Sequence, residues 1–480
     1  MRDPPGDRGA FQGQRAGADM TDANPLDHVV DHIVAVDFDR LPQEVIDTAK
    51  TFLLDSIGVG IAGSAGADID RLKRTVAQWG DGDEATVWLT GERLPAMQVA
   101  IVNAYQIHCL EFDCVHEGAV VHPMATMLSA VMAWAERASR QGQPVSGRDL
   151  ITALAVGVDM AAVLGMASKA PIRFFRPATA GGFGATAAIG KLAGFDRDQM
   201  KDALGAMYGQ TSGTLQPHVE GSMLLGLQIG FNARGAISAC DLAAAGIRGP
   251  HDIMTGRYGY LHLYEMGDFD LDPVLASLGS EWQIARLSHK PFPSGRLTHG
   301  VVDGLGRLMA EHRFGADDIA TVRCEVPSLV ANLVGRPDLP EPAANYAKLC
   351  LRFVAGIFLA HGRVDLEHFA TLAALANPVA HAYAALVDVV DNGNPDPNAL
   401  DPQTVRVRLK TGAEHDVTMP QVYGHPDAPL TSDENVDKFR RCCGYAARPL
   451  PVSNVDGLIA LVAGIETEPD VARIVNLTLA

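Results

Sequence analysis

Residues 108–123, HCLEFDCVHEGAVVHP, set three imidazoles, His108, His116 and His122, beside the carboxylates of Glu111 and Asp113. The stretch lies between an apolar run that ends at Ala104 and another that begins at Met124. Helices that are apolar on every side are buried ones, so these ionisable groups fall where two buried helices meet. Proton affinities there are set by burial and by neighbours, which is the condition acid–base chemistry needs.

Upstream, Leu26, Val29, Val30, Ile33 and Val34 recur on one helical face, and Leu41-Pro42-Gln43-Glu44-Val45 opens a second helix with proline at an early, permitted position. Thr51–Gly63 is apolar nearly all round and rich in small residues, Thr86–Leu89 reads as a short extended piece, and Pro95 restarts helix towards Asn103 and Ala104. Downstream, Met124–Arg140 and Leu150–Met166 read as helices. The Gly-rich run Phe174–Gly184 reads as the entrance to a helix over Ala185–Ala193. That run has neither the GxxxxGK[ST] nor the GxGxxG pattern of a nucleotide loop, so close backbone packing accounts for its glycines. After Trp282 the texture changes. Ile319–Val326 and Val405–Leu409 alternate as half-buried strands do, with helical pattern over Asn345–Ala360 and Leu366–Ala376 between them. Helical periodicity returns over Asp433–Ala446 and Val455–Val462.

The expected fold is therefore mainly α: a large all-helical domain and a smaller α+β segment, with a C-terminal tail that packs back on the helices. The expected boundaries are a disordered extension over 1–19, a helical domain over 20–284, an α+β lid domain over 285–418 and the return over 419–480.

Composition bounds the function. Of 480 residues, 47% are hydrophobic and 6% aromatic, and 39 Lys+Arg against 57 Asp+Glu leave a net charge of −18. A surface of that sign repels nucleic acid and anionic membranes, so neither is expected as a partner. No uninterrupted apolar run of membrane-spanning length is read; Gly118–Ala135, with His122-Pro123 near its start, comes nearest and reads as a core helix. Residues 1–19 lack the apolar stretch of a signal peptide. Seven cysteines with no CxxC pair suit free thiols in a reducing compartment, so the expected location is cytoplasmic.

Several landmarks, in order, resemble the MmgE/PrpD family of 2-methylcitrate dehydratases, cis-aconitate decarboxylases and iminodisuccinate epimerases. They are Asp55-Ser56-Ile57-Gly58-Val59, EFDCVHEGAVVHP after Asn103-Ala104, GGFGATAAIGKLAGF, and GSMLLGLQIGFNARGAISACDLAAAGIRGP. They continue with HKPFPSGRLTH from His289, Ala347-Lys348-Leu349-Cys350-Leu351, and Tyr423-Gly424-His425-Pro426 before Lys438-Phe439. The resemblance implies a helical domain built from both chain ends, an inserted α+β lid, a cleft between them and a homodimer. It also implies chemistry on a small carboxylate substrate with no cofactor and no metal, consistent with the absence of an HExxH helix or a cysteine cluster.

Proton removal next to a carboxylate needs a base and a cationic or hydrogen-bonding partner for the charge that develops. By resemblance, His122 is the base or acid and Lys290 holds a substrate carboxylate, while Glu111 and Asp113 orient imidazoles or relay protons. Arg176, Gln228, Arg296, His299 and His116 are the expected substrate-binding residues. Against each stands a structural alternative: His122 capping a helix, the acid–imidazole pairs forming a buried network, Arg296 and His299 packing or hinging the lid.

The departures carry information too. The family's DFDD is EFDC here, with Cys114 unable to replace a carboxylate charge, and the histidine expected before Pro177 is Arg176. The family's Lys-Arg-Leu-His run is Leu225-Gly226-Leu227-Gln228, and Phe353 stands for an aromatic hydroxyl. The cleft floor thus loses two cations and an imidazole, which Arg176 is expected to offset in part. The sequence reading is a cofactor-independent lyase, a dehydratase by first choice, acting on an acid with fewer charges than citrate derivatives. An epimerase, isomerase or decarboxylase is the alternative within the family, and a catalytically silent binding or scaffold protein the alternative outside it.

Overall fold

The computed structural model describes residues 24–480; the extension expected over residues 1–19 lies outside the described residues. Six long helices make the frame of the helical region: α1 (Gln43–Gly63), α2 (Ala96–His108), α3 (Pro123–Arg140), α4 (Gly147–Ala167), α5 (Arg176–Leu192) and α6 (Leu224–Ala244). Each is buried over most of its length because its sequence is small or apolar on every face. Helix α4 alone among the described helices is long and apolar enough to cross a membrane, and 94% of that stretch is buried inside the protein. Gly118–Ala135, the run nearest that description by sequence, is instead split by the turn that ends at His122.

Helix α5 starts nine positions earlier than its periodicity suggests. Pro177 sits in its first turn, and Gly181-Gly182-Phe183-Gly184 lies inside the helix rather than in a loop before it. The glycines let two backbones touch: a Cβ at Gly184 would stand 2.6 Å from the Gly157 carbonyl oxygen of α4. Glycine costs a helix interior roughly 1 kcal/mol relative to alanine, and the close approach of α4 and α5 is what that cost secures.

The α+β region follows: α7 (His299–His312), β1 (Ile319–Val326), α8 (Ser328–Val334), α9 (Leu351–His361), β2 (Val387–Asp391), β3 (Gln403–Leu409) and β4 (Glu414–Met419). The sheet order is β2-β1-β3-β4, with β1 parallel to β2 and every other pair antiparallel. Val322, Cys324 and Val326 face the core in strict alternation, and the register shift between Ile319 and Thr321 lets Ile319 point the same way. Helices α10 (Ser432–Tyr445), α11 (Val452–Ala463) and the short α12 (Ala472–Leu477) follow the sheet. Apolar side chains from Leu26 to Leu287 and from Phe439 to Val475 share one core, joined by Leu349 and Leu366, and the others from Val301 to Val407 build two separate ones. Both ends of the described residues therefore close the helical region, with the sheet between them in sequence.

Candidate active site

The segment between α2 and α3 is the acidic, histidine-rich stretch, and three features fix its shape. Glu111 adopts a left-handed backbone (φ +52°), which costs a side-chain-bearing residue roughly 1–3 kcal/mol and here turns the chain back under α2. Val115–His116 pairs antiparallel with Leu287–Ser288, so the chain that carries Lys290 is zipped against the chain that carries Glu111 and Asp113. Two buried lysines hold the backbone of the turn: Lys348 donates to the Cys109 carbonyl (3.0 Å) and Lys438 to the Phe112 carbonyl (2.9 Å). Lys438 also pairs with Asp55 of α1 at 2.6 Å and lies over the Phe112 ring.

Asp113 is the centre of the cluster. It has no solvent exposure, and its Oδ2 lies 3.0 Å from His108 Nδ1 and 3.1 Å from His122 Nδ1. Burial works against its charge, but His108, His122 and Lys290 outweigh that and hold the carboxyl well below the ordinary range. A carboxylate only accepts, so each Nδ1 carries the hydrogen and each Nε2 is left for other work. Lys290 Nζ donates to Glu111 Oε2 at 3.0 Å and stands 3.7 Å from Asp113 Oδ1. Despite burial, Lys290 and the two histidines draw the Glu111 carboxyl down to about 2.

The two imidazoles stand edge to face, with centroids 5.1 Å apart, yet their proton affinities diverge. For His108, burial opposes charging but the Asp113 and Glu111 charges win, and its pKa is raised; its Nε2 is 3.4 Å from Glu111 Oε1. For His122, burial together with the charges of Lys290 and His108 outweighs Asp113, and its pKa is lowered. At neutral pH one ring is biased towards imidazolium and its neighbour towards free imidazole. A divergent pair of this kind can divide the work of an acid and a base. His122 does not cap α3 although it occupies the position before Pro123; its ring is spent on Asp113.

His108, Glu111 and His122 line one end of a cavity of about 80 Å³ between the two regions. Apart from His218 and Arg296, its other walls are mostly apolar: Val115, Val120, Ile172, Phe175, Leu215 and Leu225 from the helical side, Leu297, Leu333, Val334, Leu349 and Leu400 from the other. Larger clefts of about 660 and 520 Å³ open elsewhere on the molecule, and neither includes the cluster. One ligand atom each from His108, Asp113 and His122 falls within 4.8 Å of the others, the spacing a metal ion needs. Both Nδ1 atoms are committed to Asp113, and the Lys290 ammonium already supplies positive charge at that carboxylate, so the donor set suits proton transfer better than a divalent ion.

Residues 27–272 match the MmgE/PrpD N-terminal domain and residues 292–450 match the MmgE/PrpD C-terminal domain. The chain belongs to the MmgE/PrpD family. It is 26% identical to a cis-aconitate decarboxylase-like protein of Aspergillus oryzae over 457 residues, covering 91% of this chain and 93% of that protein. It is 26% identical to the cis-aconitate decarboxylase of Homo sapiens over 451 residues (91% of each), and 24% identical to that of Aspergillus terreus over 458 residues (92% of each).

Within this MmgE/PrpD site, four of the nine residues expected from sequence come together: His122, Lys290, Glu111 and Asp113. Lys290, however, lies behind the two carboxylates with no exposure of its own, so it orients them rather than meeting a substrate. Arg296 reaches the cavity wall, but its guanidinium is taken up by Glu117 (2.7 Å) and by the carbonyls of His289, Tyr423 and Val422. The other four are held away from the cavity wall. The Arg176 guanidinium is locked on Glu265 (2.8 and 3.0 Å) and Ser168, so it does not replace the lost cations. Gln228 spends its amide on the Thr214 backbone. His116 accepts from the Ala119 N–H and donates to Gln283, and His299 stacks on Phe292 beside the 520 Å³ cleft.

Sequence reading passed over Lys348 and Lys438 as supports, although both sit inside the family landmarks. Nothing in their own spacing says that they grip carbonyls at 109 and 112. It also missed His218, a lone histidine on the five-residue helix Gln216–Glu220 that borders the cavity.

Proposed function

We propose that the protein is a lyase that moves a proton at the carbon next to the carboxylate of a small acid carrying a single negative charge, and that the reaction is a dehydration. The observation that supports this most is the His108–Asp113–His122 arrangement at the polar end of an apolar cavity. His122 Nε2, unprotonated, takes the proton; His108, biased towards imidazolium, gives one to the departing hydroxyl as water leaves. Asp113 holds both rings and balances the charge that moves between them, and Lys290 keeps Glu111 and Asp113 ionised beside them.

The charge of the substrate follows from where the cations are. Lys290 is paired with Glu111 and Asp113, Arg296 with Glu117, Arg176 with Glu265 and Lys438 with Asp55. A tricarboxylate entering the cavity would bring three charges against walls of valine, leucine and phenylalanine, and an unpaired buried charge is strongly unfavourable. A second reading, decarboxylation, is favoured by the relatives named above and by the same apolar walls, which desolvate a carboxylate that is to leave as carbon dioxide.

Incubation of the purified protein in deuterated water with saturated, unsaturated and 3-hydroxy mono-, di- and tricarboxylic acids tests both readings. Loss of water from the 3-hydroxy acids, or its addition to the unsaturated acids with deuterium at the carbon next to the carboxylate, supports dehydration, and release of carbon dioxide supports the second reading. Deuterium exchange with inversion and no loss of either would mean an epimerase. Turnover of tricarboxylates with no turnover of monocarboxylates would overturn the assignment of charge.

A further inference from the structure

Resting on the lyase reading above, we propose that His218 is a specificity residue: a neutral Nε2–H donor, fixed by Arg336, that recognises the acyl oxygen of the substrate opposite the acid–base pair. His218 comes from the helical region and Arg336 from the loop after α8 in the α+β region, so the pair spans the two sides of the cavity. Arg336 Nη2 lies 2.7 Å from His218 Nδ1 and 2.7 Å from the Leu333 carbonyl, and Nη1 donates to the His218 carbonyl at 2.9 Å. The Arg336 guanidinium also lies over the Tyr346 ring, and Tyr346 donates to the Pro337 carbonyl, which steadies the arginine from behind.

The tautomer follows from the chemistry of arginine, which has five N–H donors and no acceptor. A guanidinium in hydrogen-bond contact with Nδ1 requires a lone pair there. The ring is then neutral and its hydrogen is on Nε2. Burial and the Arg336 charge both push the ring in the same direction, down to about 4, while the charges of Glu111 and His108 also act on it across the cavity. His218 is 6% exposed, and among the described residues its Nε2 has no hydrogen-bond partner. An Nε2–H that no protein group accepts, on a side chain lining a cavity, is free to donate to a ligand there. The space it borders is the cavity that holds His108, Glu111 and His122.

The kind of donor selects the kind of substrate. An ammonium or guanidinium in the place of this ring would select a second carboxylate; a neutral imidazole N–H donates to a carboxylate, amide or ester oxygen alike. Together with the paired cations, this assigns the substrate class as a short acid, or an uncharged derivative of one, with an apolar body. A cavity of roughly 150 Å³ holds a benzene ring, so one of about 80 Å³ admits a body of only a few carbons.

The test is calorimetric binding of but-2-enoate and of its uncharged amide, but-2-enamide, to the full-length protein and to His218→Leu and His218→Gln. Long-range proton–nitrogen spectra of histidine-labelled protein accompany it. The expected result is that both probes bind the wild type within about threefold of each other. His218→Leu should lose tenfold or more for both, and His218→Gln, which keeps a donor, should recover most of the loss. Arg336→Gln should move the His218 nitrogen signals from the Nε2–H tautomer to a mixture. Wild-type affinity retained in His218→Leu, or a wild-type His218 that is an imidazolium or carries its hydrogen on Nδ1, overturns the proposal while leaving the lyase reading intact. Binding of neither probe by the wild type overturns the lyase reading and this assignment with it. If His218→Leu does not fold, the Gln variant and the wild-type tautomer decide.

Discussion

His108 and His122 donate through Nδ1 to one and the same oxygen, Asp113 Oδ2, at 3.0 and 3.1 Å, yet their environments shift them in opposite directions. The proposed mechanism requires His122 without its proton and His108 with it. On the acid side, kcat/KM should rise as His122 deprotonates, below the ordinary histidine value of 6.5; on the alkaline side it should fall as His108 deprotonates above 6.5. His122→Asn should lose roughly 10²–10⁴-fold in turnover, and His108→Asn should lose the alkaline limb. An alkaline limb that survives in His108→Asn would transfer the acid role to another group.

Lys290→Met leaves the Glu111 and Asp113 carboxylates buried without their lysine. Breaking a buried pair by removing one partner costs roughly 3–5 kcal/mol, so urea unfolding should show a loss of that order. The double variant Lys290→Met, Glu111→Gln should recover part of it, because one stranded charge is gone. Full wild-type stability in the single variant would mean that the lysine is not bound as the distances indicate.

Acid should act on the same cluster. Glu111 titrates near 2 in the folded protein against an ordinary 4.5, a folded value below the unfolded one. Its contribution to stability is therefore complete above about pH 4.5 and is lost as pH falls from there towards 2. Unfolding free energy measured across that window should fall less steeply in Glu111→Gln than in the wild type; identical slopes would contradict the shift.

A methyl group at Gly184 would meet the Gly157 carbonyl oxygen at 2.6 Å. Gly184→Ala should thus destabilise by about 1–3 kcal/mol through forced separation of α4 and α5, despite the better helix propensity of alanine. Thermal unfolding that rises in the variant would show that the two helices give way without strain.

Much of the architecture was legible because burial leaves a period in the sequence. The continuous apolar runs of α3 and α4 and the alternation at Val322-Arg323-Cys324-Glu325-Val326 state their own structure. Val387–Asp391 did not: it is five residues long, lies at the sheet edge and has no strict alternation, so its strand character comes from pairing with β1. Gly181–Gly184 read as a loop because glycine is a poor helix former, and only partners distant in sequence explain it: Thr126 at Gly181, Met207 and Asn232 at Gly182, and Gly157 at Gly184. In the site, Glu111, Asp113 and His122 were legible as a cluster in one stretch. Arg176 was misplaced as a substrate cation because its partner, Glu265, is 89 residues away and nothing local announces it. His218 was invisible for the same reason, since Arg336 and the cavity give it meaning only in three dimensions.

The lysine bonds to the carbonyls of Cys109 and Phe112 have a consequence for synthesis of the chain. Every acid–base residue of the cluster except Lys290 is made within the first 122 positions, but the turn that aims them is fastened by Lys348 and Lys438. On the ribosome, His108 and His122 must wait for the last tenth of the polypeptide before the turn between them is fastened at both carbonyls. A product stopped short of Lys438 would carry the side chains of the cluster without the bond that fastens the Phe112 carbonyl.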